Sequence, residues 1–216
     1  MTTSEASGSD LTRAPELPPT PDGYADPYEF RYPTVGLLVG SSVLGIVSSV
    51  ALVALLTLVH GPEMFTFYEV TVDGETTTFA MDLTAIAVPF LAALVVTTVV
   101  HELLHGVVFR FYGYDVTYGV APSMGAFYAA AFGQFQRRAE LLRVGLAPLV
   151  GITAVCFPLV FVPVPIVALT AAFVLVLNTA GAIGDLYATW RLRGLPEGAL
   201  LYDVDIRYSY VYEPSA

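Results

Sequence analysis

A short run of reactive side chains, His101-Glu102-Leu103-Leu104-His105, interrupts an otherwise apolar part of the chain. Residues four apart lie on the same face of an α-helix, so the two imidazoles can bind one zinc ion. Glu102 lies close by, where a carboxylate can accept a proton from a zinc-bound water. The pattern therefore predicts a hydrolytic zinc centre, with His101 and His105 as metal ligands and Glu102 as general base.

A catalytic zinc ion takes three protein ligands and keeps one position open, so the motif lacks one ligand. The other histidine, His60, is expected at the opposite end of the membrane, roughly 20 Å away at 1.5 Å rise per residue. Three carboxylates remain as candidates: Asp115, Glu140 and Asp185.

Asp115 follows the motif helix too closely and is expected in a turn. Glu140 lies among arginines, where an interfacial ion pair explains it. Asp185 interrupts an apolar segment at the depth of the motif, where an unpaired carboxylate is costly. Asp185 is therefore the predicted third ligand, with Glu140 as the alternative.

Asn178 precedes Asp185 by two helical turns and is expected on the same face. Its amide could hydrogen-bond a substrate carbonyl or oxyanion, which would make it a catalytic residue. An interhelical hydrogen bond explains an asparagine in an apolar helix equally well. We predict the catalytic role and keep the structural alternative open.

The hydropathy of the sequence predicts the secondary-structure elements that hold these residues. Of 216 residues, 56% are hydrophobic and only 13% are charged, about half the charged share of an ordinary soluble domain. Four apolar segments each exceed the roughly 20 residues that a membrane-spanning helix needs. They are residues 34–59, 83–111, 139–162 and 165–190. The predicted fold is an all-α integral membrane protein with about four transmembrane helices.

Three divisions of the chain are expected: a disordered acidic and Pro-rich tail (1–32), a four-helix membrane zincin-like domain (33–193) and a short cytoplasmic C-terminal tail (194–216). Arginines flank the apolar segments so that all fall on one side if both termini are cytoplasmic. The chain is therefore expected to be a multi-pass protein of the cell membrane.

Two connecting segments carry their own predictions. β-branched and aromatic residues on both sides of Asp73-Gly74 predict a short outer β-hairpin. The inner segment, residues 113–136, is rich in Gly, Ala and Tyr. It is expected either to dip into the membrane or to lay an edge strand beside the site.

The charge balance limits the partners. The net charge is −10, and all nine basic residues are arginines. An acidic, lysine-free surface resembles that of proteins from organisms with high internal salt, so a halophilic source is predicted. Acidic surfaces repel phosphates, so no nucleic-acid partner is expected.

The motifs together resemble the intramembrane site-2 proteases, which carry His-Glu-x-x-His on one core helix and Asn-x-x-Pro…Asp-Gly on a later one. Here Gly181 stands in place of the proline and Leu186 follows the aspartate. The four spans, His-Glu-Leu-x-His-Gly and Asn…Gly-Asp-Leu are similar to a compact, uncharacterised family of membrane zincin peptidases, over residues 33–205. These resemblances imply zinc bound by His101, His105 and Asp185, with Glu102 as general base and acid.

The expected function is that of a zinc-dependent membrane-embedded endopeptidase that hydrolyses a peptide bond at or within the inner side of the membrane. Its expected partners are the lipid bilayer and a membrane-protein or peptide substrate. Two alternatives remain: a zinc hydrolase of a non-peptide lipid bond, and a non-catalytic zinc-binding membrane scaffold.

Overall fold

The helices follow the apolar segments of the sequence. The structure, a computed structural model, describes residues 17–121 and 126–215. Its five α-helices are Thr34–His60 (α1), Thr84–Phe111 (α2), Arg138–Leu159 (α3), Pro165–Gly181 (α4) and Ile183–Arg193 (α5). Helices α1, α2 and α3 are each long and apolar enough to cross a membrane. Helices α4 and α5 meet at a 45° bend and give a fourth candidate span if they are counted as one.

Strands form a second part of the fold. The described residues contain eight: Tyr28–Phe30 (β1), Tyr68–Asp73 (β2), Thr76–Met81 (β3), Thr117–Ala121 (β4), Ala126–Ala130 (β5), Phe135–Arg137 (β6), Leu200–Asp203 (β7) and Ser209–Tyr212 (β8). A four-stranded sheet has the order β1-β8-β7-β6, and β2–β3 and β4–β5 are separate two-stranded sheets. All strand pairs are antiparallel.

The prediction of an all-α fold is therefore wrong, and the fold is mixed α/β. The strands β1, β6, β7 and β8 are three or four residues long and bring together distant parts of the chain. Tyr28, for example, is the register partner of Val211. Strands this short carry little local signal, because their stability comes from cross-strand neighbours and burial.

The terminal segments are part of this sheet. Strand β1 falls within the segment predicted as a disordered tail, and β7 and β8 make up much of the predicted C-terminal tail. Phe30, Leu201 and Val211 are buried together beneath the sheet, against Leu192 of α5. The prediction of disorder therefore does not hold for residues 28–30, and residues 1–16 lie outside the described part of the chain.

Helix α4 occupies the centre of the helical bundle. It packs against α1, α2 and α3 and buries one face, including Ala168, Ala172 and Leu175. Helix α1 also lies close to the start of α5, since a Cβ at Gly40 would lie 3.0 Å from Ile183 Cδ1. The α4–α5 bend therefore lies beside α1.

The four-stranded sheet fixes which chain segments share one end of the bundle. It joins the segment before α1, the connection from α2 to α3 and the segment after α5. The β2–β3 hairpin, in contrast, connects α1 to α2 and pairs only with itself. This hairpin is the short outer hairpin that the sequence predicts, with Gly74 at φ +60° in its turn.

Candidate metal centre

Three potential ligands from two helices converge beside the α4–α5 bend. His101 and His105 lie one turn apart on α2, and Asp185 lies in the first turn of α5. The distance from His101 Nε2 to Asp185 Oδ2 is 3.1 Å, and that from His105 Nε2 to Asp185 Oδ1 is 3.4 Å. One ligand atom of each residue lies within 4.8 Å of the others. The structure thus brings together the three residues that the sequence nominates.

Each imidazole is oriented by a second hydrogen bond on its far side. His101 Nδ1 donates to Asn178 Oδ1 at 3.1 Å, and His105 Nδ1 donates to the Val144 carbonyl at 3.0 Å. With the proton on Nδ1, the lone pair of each Nε2 points into the centre. Such outer partners fix the tautomer and ring orientation of metal-binding histidines.

The donor set fits zinc. Two ligand atoms that each lie about 2.0–2.1 Å from one zinc ion, at a tetrahedral angle, are roughly 3.4 Å from each other. The nitrogen–oxygen distances of 3.1 and 3.4 Å between the histidines and Asp185 are close to this value. Two imidazoles and one carboxylate are also a ligand set that suits zinc and leaves one position open. The half-buried carboxylate of Asp185 has no Arg within 4 Å among the described residues, so a cation would neutralise it.

Asn178 lies behind His101. Its side chain is fully buried, with 0% exposed, and its Nδ2 donates to the Pro148 carbonyl at 3.4 Å. Both ends of the amide are therefore used within the protein, in line with the interhelical hydrogen bond left open from the sequence. The catalytic role of Asn178 stays a prediction, and the geometry supports a positioning role through His101.

Glu102 has a backbone partner that the sequence did not reveal. Its Oε2 accepts a hydrogen bond of 2.8 Å from the N–H of Ala129 in β5. Because Ala129 donates to Glu102, this N–H lies on the edge of β5 that faces away from β4. N–H and C=O groups alternate along a strand, so the backbone groups of Phe127 lie on the same edge. A free strand edge thus runs beside the candidate general base.

The β4–β5 hairpin is positioned by a glycine of the motif helix. A Cβ on Gly106 would lie 2.5 Å from Tyr118 Cζ, so only a glycine admits the ring of Tyr118 here. The guanidinium of Arg110 also lies over this ring, with Cζ 5.4 Å from its centroid. Residues 113–136 therefore provide an edge strand beside the site, one of the two arrangements expected from the sequence.

The other candidate ligands lie elsewhere. His60 Nε2 donates to the Val160 carbonyl at 2.7 Å and caps the outer end of the bundle. Glu140 accepts a hydrogen bond from Tyr114 and lies 3.7 Å from Arg137, as expected for an interfacial ion pair. The backbone N–H of Asp115 donates to Gln134 Oε1 at 3.0 Å, and Asp115 does not belong to the group of three ligands.

Comparison with known protein families gives one match, to a family described as "Putative zincin peptidase", over residues 94–200. Comparisons with curated proteins and with solved structures give no match. The matched segment contains His101, Glu102, His105, Asn178 and Asp185. Zincins are zinc peptidases built on the His-Glu-x-x-His motif, so the description agrees with the donor set of the centre. Through residues 94–200 the chain belongs to this zincin peptidase family.

Proposed function

We propose that the protein is a zinc-dependent endopeptidase that works at the inner face of a membrane. The observation that carries the proposal is the convergence of His101, His105 and Asp185 beside Glu102, with a free strand edge next to the carboxylate. Metal ligands alone would suit a scaffold. A base and a strand edge in the same place suit hydrolysis of a peptide.

When bound, zinc supplies Lewis acidity, which lowers the pKa of a coordinated water and polarises a carbonyl group. Glu102 directly follows His101 in sequence and is held on one side by the N–H of Ala129. Its other oxygen, Oε1, is left to accept a proton from the attacking water. The same carboxyl group then returns that proton to the leaving amine.

A peptide can be held by addition to β5. The backbone groups of Phe127 and the carbonyl of Ala129, whose N–H already donates to Glu102, would pair with an extended segment of substrate, as in other cases of strand addition. A substrate helix must unwind before it can bind in this way. Pairing beside Glu102 would then bring a backbone carbonyl to the centre, which favours a peptide over a lipid as substrate.

The membrane arrangement follows from the helices and the sheet. Strands β1, β6 and β7 belong to one sheet, so they must lie on the same side of the membrane. The chain must then cross the membrane an even number of times between one of these strands and the next. This supports four spans, with α4 and α5 counted as one. Arg110, Arg137 and Arg191 lie at this end of the bundle. Both termini are then cytoplasmic by the positive-inside tendency.

Labelling of single cysteines tests this arrangement. Cys156 is the lone cysteine, so Cys156→Ser gives a background for Asp26→Cys at the sheet end and Thr76→Cys in the outer hairpin. A membrane-impermeant thiol reagent applied to intact cells should modify position 76 and spare position 26 until the cells are opened. Equal modification of both positions in intact cells would overturn the topology.

Metal content and turnover test the function. We expect about one zinc per chain in the detergent-purified protein, lost in Asp185→Ala and retained in the matched variant Glu140→Ala. Glu102→Gln should keep zinc and lose cleavage of a peptide library by a factor of about 10² to 10⁴. Equal turnover of Glu102→Gln and wild type would point to a scaffold. Release of fatty acid from lipid vesicles without peptide cleavage would point to a lipid hydrolase.

A further inference from the structure

A cavity of about 220 Å³ lies between β5 and the C-terminal part of the chain. Drug-sized ligands take pockets of about 300 Å³ or more, so this volume suits a single long side chain. The residues that line it come from four segments of the chain. They include Tyr32, Phe127, Tyr128, Phe132, Asp203 and Asp205.

Two parts of the cavity wall are linked to the candidate site through neighbouring residues. Phe127, Tyr128 and Ala130 line it, and Ala129, between them, donates to Glu102. On the opposite side the ring of Tyr32 packs 5.7 Å, centroid to centroid, from that of Tyr187, two residues after Asp185. A peptide paired with β5 would therefore pass along the mouth of the cavity.

An acidic group without a basic partner lies in the wall. Asp203 accepts hydrogen bonds from Gln136 Nε2 at 2.9 Å and from the hydroxyl of Ser209, both neutral donors. No Arg lies within 4 Å of its carboxylate among the described residues. Burial raises the pKa of Asp203, and the two hydrogen bonds oppose that shift. A cation in the cavity would remove the cost of burying this charge.

A second carboxylate, Asp205, lies at the rim. It is 3.9 Å from Arg207, and its side chain is 41% exposed, so solvent screens this ion pair and leaves it weak. Tyr32, Phe127, Tyr128 and Phe132 add aromatic rings to the wall, and the rings of Tyr128 and Phe132 are 5.7 Å apart. Aromatic faces attract ammonium and guanidinium groups as well as apolar stems.

We propose that this cavity is a substrate subsite that binds a basic side chain, Arg or Lys, close to the peptide bond that is hydrolysed. The apolar stem packs on Phe127 and Tyr128, and the cationic head approaches Asp203. The inference rests on the proposed peptidase function and names the substrate class: peptides with a basic residue on the strand that pairs with β5.

Binding of blocked amino acids tests the subsite without any turnover. The full-length, zinc-loaded Glu102→Gln protein is titrated calorimetrically with N-acetyl-arginine methylamide and with the norleucine and glutamate analogues. The arginine compound should bind on the order of tenfold more tightly than norleucine, the gain typical of a hydrogen bond to a charged group. Equal binding of arginine and norleucine would overturn the subsite.

Two variants locate the effect. Asp203→Asn should remove the preference for arginine, while the matched control Asp26→Asn, at an exposed aspartate, should retain it. Phe127→Leu leaves Asp203 and its hydrogen bonds in place and should weaken arginine binding by about two- to fivefold through loss of the aromatic face. Zinc content equal to wild type shows that each variant is folded. An unchanged preference in both variants would contradict the proposal.

Cleavage of a peptide library separates this inference from the proposed function. Wild type should cut with Arg or Lys enriched at one position near the hydrolysed bond, and Asp203→Asn should cut with that enrichment lost. Cleavage without any basic preference overturns the subsite and leaves the peptidase intact. Absence of cleavage counts against the peptidase, whereas the calorimetric comparison still decides the subsite.

Discussion

Two of the β-hairpins of this protein, β2–β3 and β4–β5, have similar sizes and very different surroundings. Every residue of β2 and β3 is exposed, and the rings of Tyr68 and Phe79 stack only on each other, 5.6 Å apart. In the β4–β5 hairpin, Tyr118 packs on Gly106 of the motif helix and Ala129 donates to Glu102.

The difference shows that turn signals and functional contacts are independent. The outer hairpin has a favourable Asp73-Gly74 turn and no contact with the metal centre. The inner hairpin is positioned by tertiary contacts: a Cβ on Gly106 would displace Tyr118, and Gly119 lies beneath the ring of its cross-strand partner Tyr128. Disrupting these contacts should therefore affect catalysis much more than disrupting the outer turn.

The largest effect is expected at Gly106. Gly106→Leu should push Tyr118 and the whole inner hairpin away from α2 and lower turnover by about 100-fold, since small misplacement of catalytic groups has effects of this size. Zinc content should stay near one per chain, because the hydrogen bonds that orient His101 and His105 are made by Asn178, Asp185 and Val144, which lie outside the hairpin. Turnover and zinc are measured on the same preparation.

A double variant checks this explanation. Tyr118→Ala combined with Gly106→Leu makes room for the new side chain, so the two substitutions should be less damaging together than the sum of their separate effects. Strict additivity would show that Gly106 does not act through Tyr118.

A smaller effect is expected from the single hydrogen bond to the general base. Ala129→Pro removes the N–H that Glu102 accepts, at a position where β4 does not use it. Loss of a hydrogen bond to a charged group should lower kcat/KM by about tenfold. The acidic limb of the pH–rate profile should move to higher pH, since the lost N–H favours the ionised carboxylate. Ala130→Pro, one residue on, serves as a comparison for backbone disruption alone, and an identical pH profile in both variants would contradict the assignment.

Replacement of the outer hairpin should change little. A short Gly-Ser linker in place of residues 68–81 removes both exposed strands and leaves Phe65 and Phe67 packed at the outer end of the bundle. Zinc content and turnover are expected to stay within about twofold of wild type, as is usual for surface substitutions away from buried contacts. A large loss of turnover would show that the two hairpins are not functionally distinct.

The smallest effect is expected at the base of the inner hairpin. Burial and a hydrogen bond to Glu140 raise the pKa of Tyr114 to about 12. A tyrosine whose pKa is higher in the folded state contributes stability that is fully present below the unfolded pKa near 10 and is lost as pH rises through about 12. In an ultraviolet titration of tyrosine ionisation, Tyr114→Phe should therefore lack one transition at high pH, near 12, that wild type shows. A missing transition near pH 10 would contradict the assignment.

The sequence was sufficient for the features that depend on local periodicity or chemistry. Long apolar segments correspond to α1 to α4, and the positions of His101, His105 and Asp185 were predicted from helical spacing and from the cost of a bare carboxylate. The Asp73-Gly74 turn was predicted from its residue types. Each of these signals lies within a few neighbouring residues.

The features that were missed depend on residues far apart in the chain. No local pattern indicates that residues 28–30 pair with residues 209–211, so the segment was interpreted as disordered. The contact between Glu102 and Ala129 involves a backbone N–H, which every non-proline residue carries. The hydrogen-bond partner of Asn178 could not be chosen from the sequence, because either a substrate or His101 can form a hydrogen bond with the side-chain amide.

The pairing of β1 with β8 also sets the order in which the cavity wall can form during synthesis. Strand β1 leaves the ribosome well before its neighbour in the sheet, Ser209–Tyr212, has been made. At about 5–20 residues per second, β1 waits on the order of ten seconds or more for its partner. Until then the wall of the cavity that contains Asp203 and Ser209 does not exist. If the cavity selects substrates as proposed, a nascent chain cannot do so before β7 and β8 have been made.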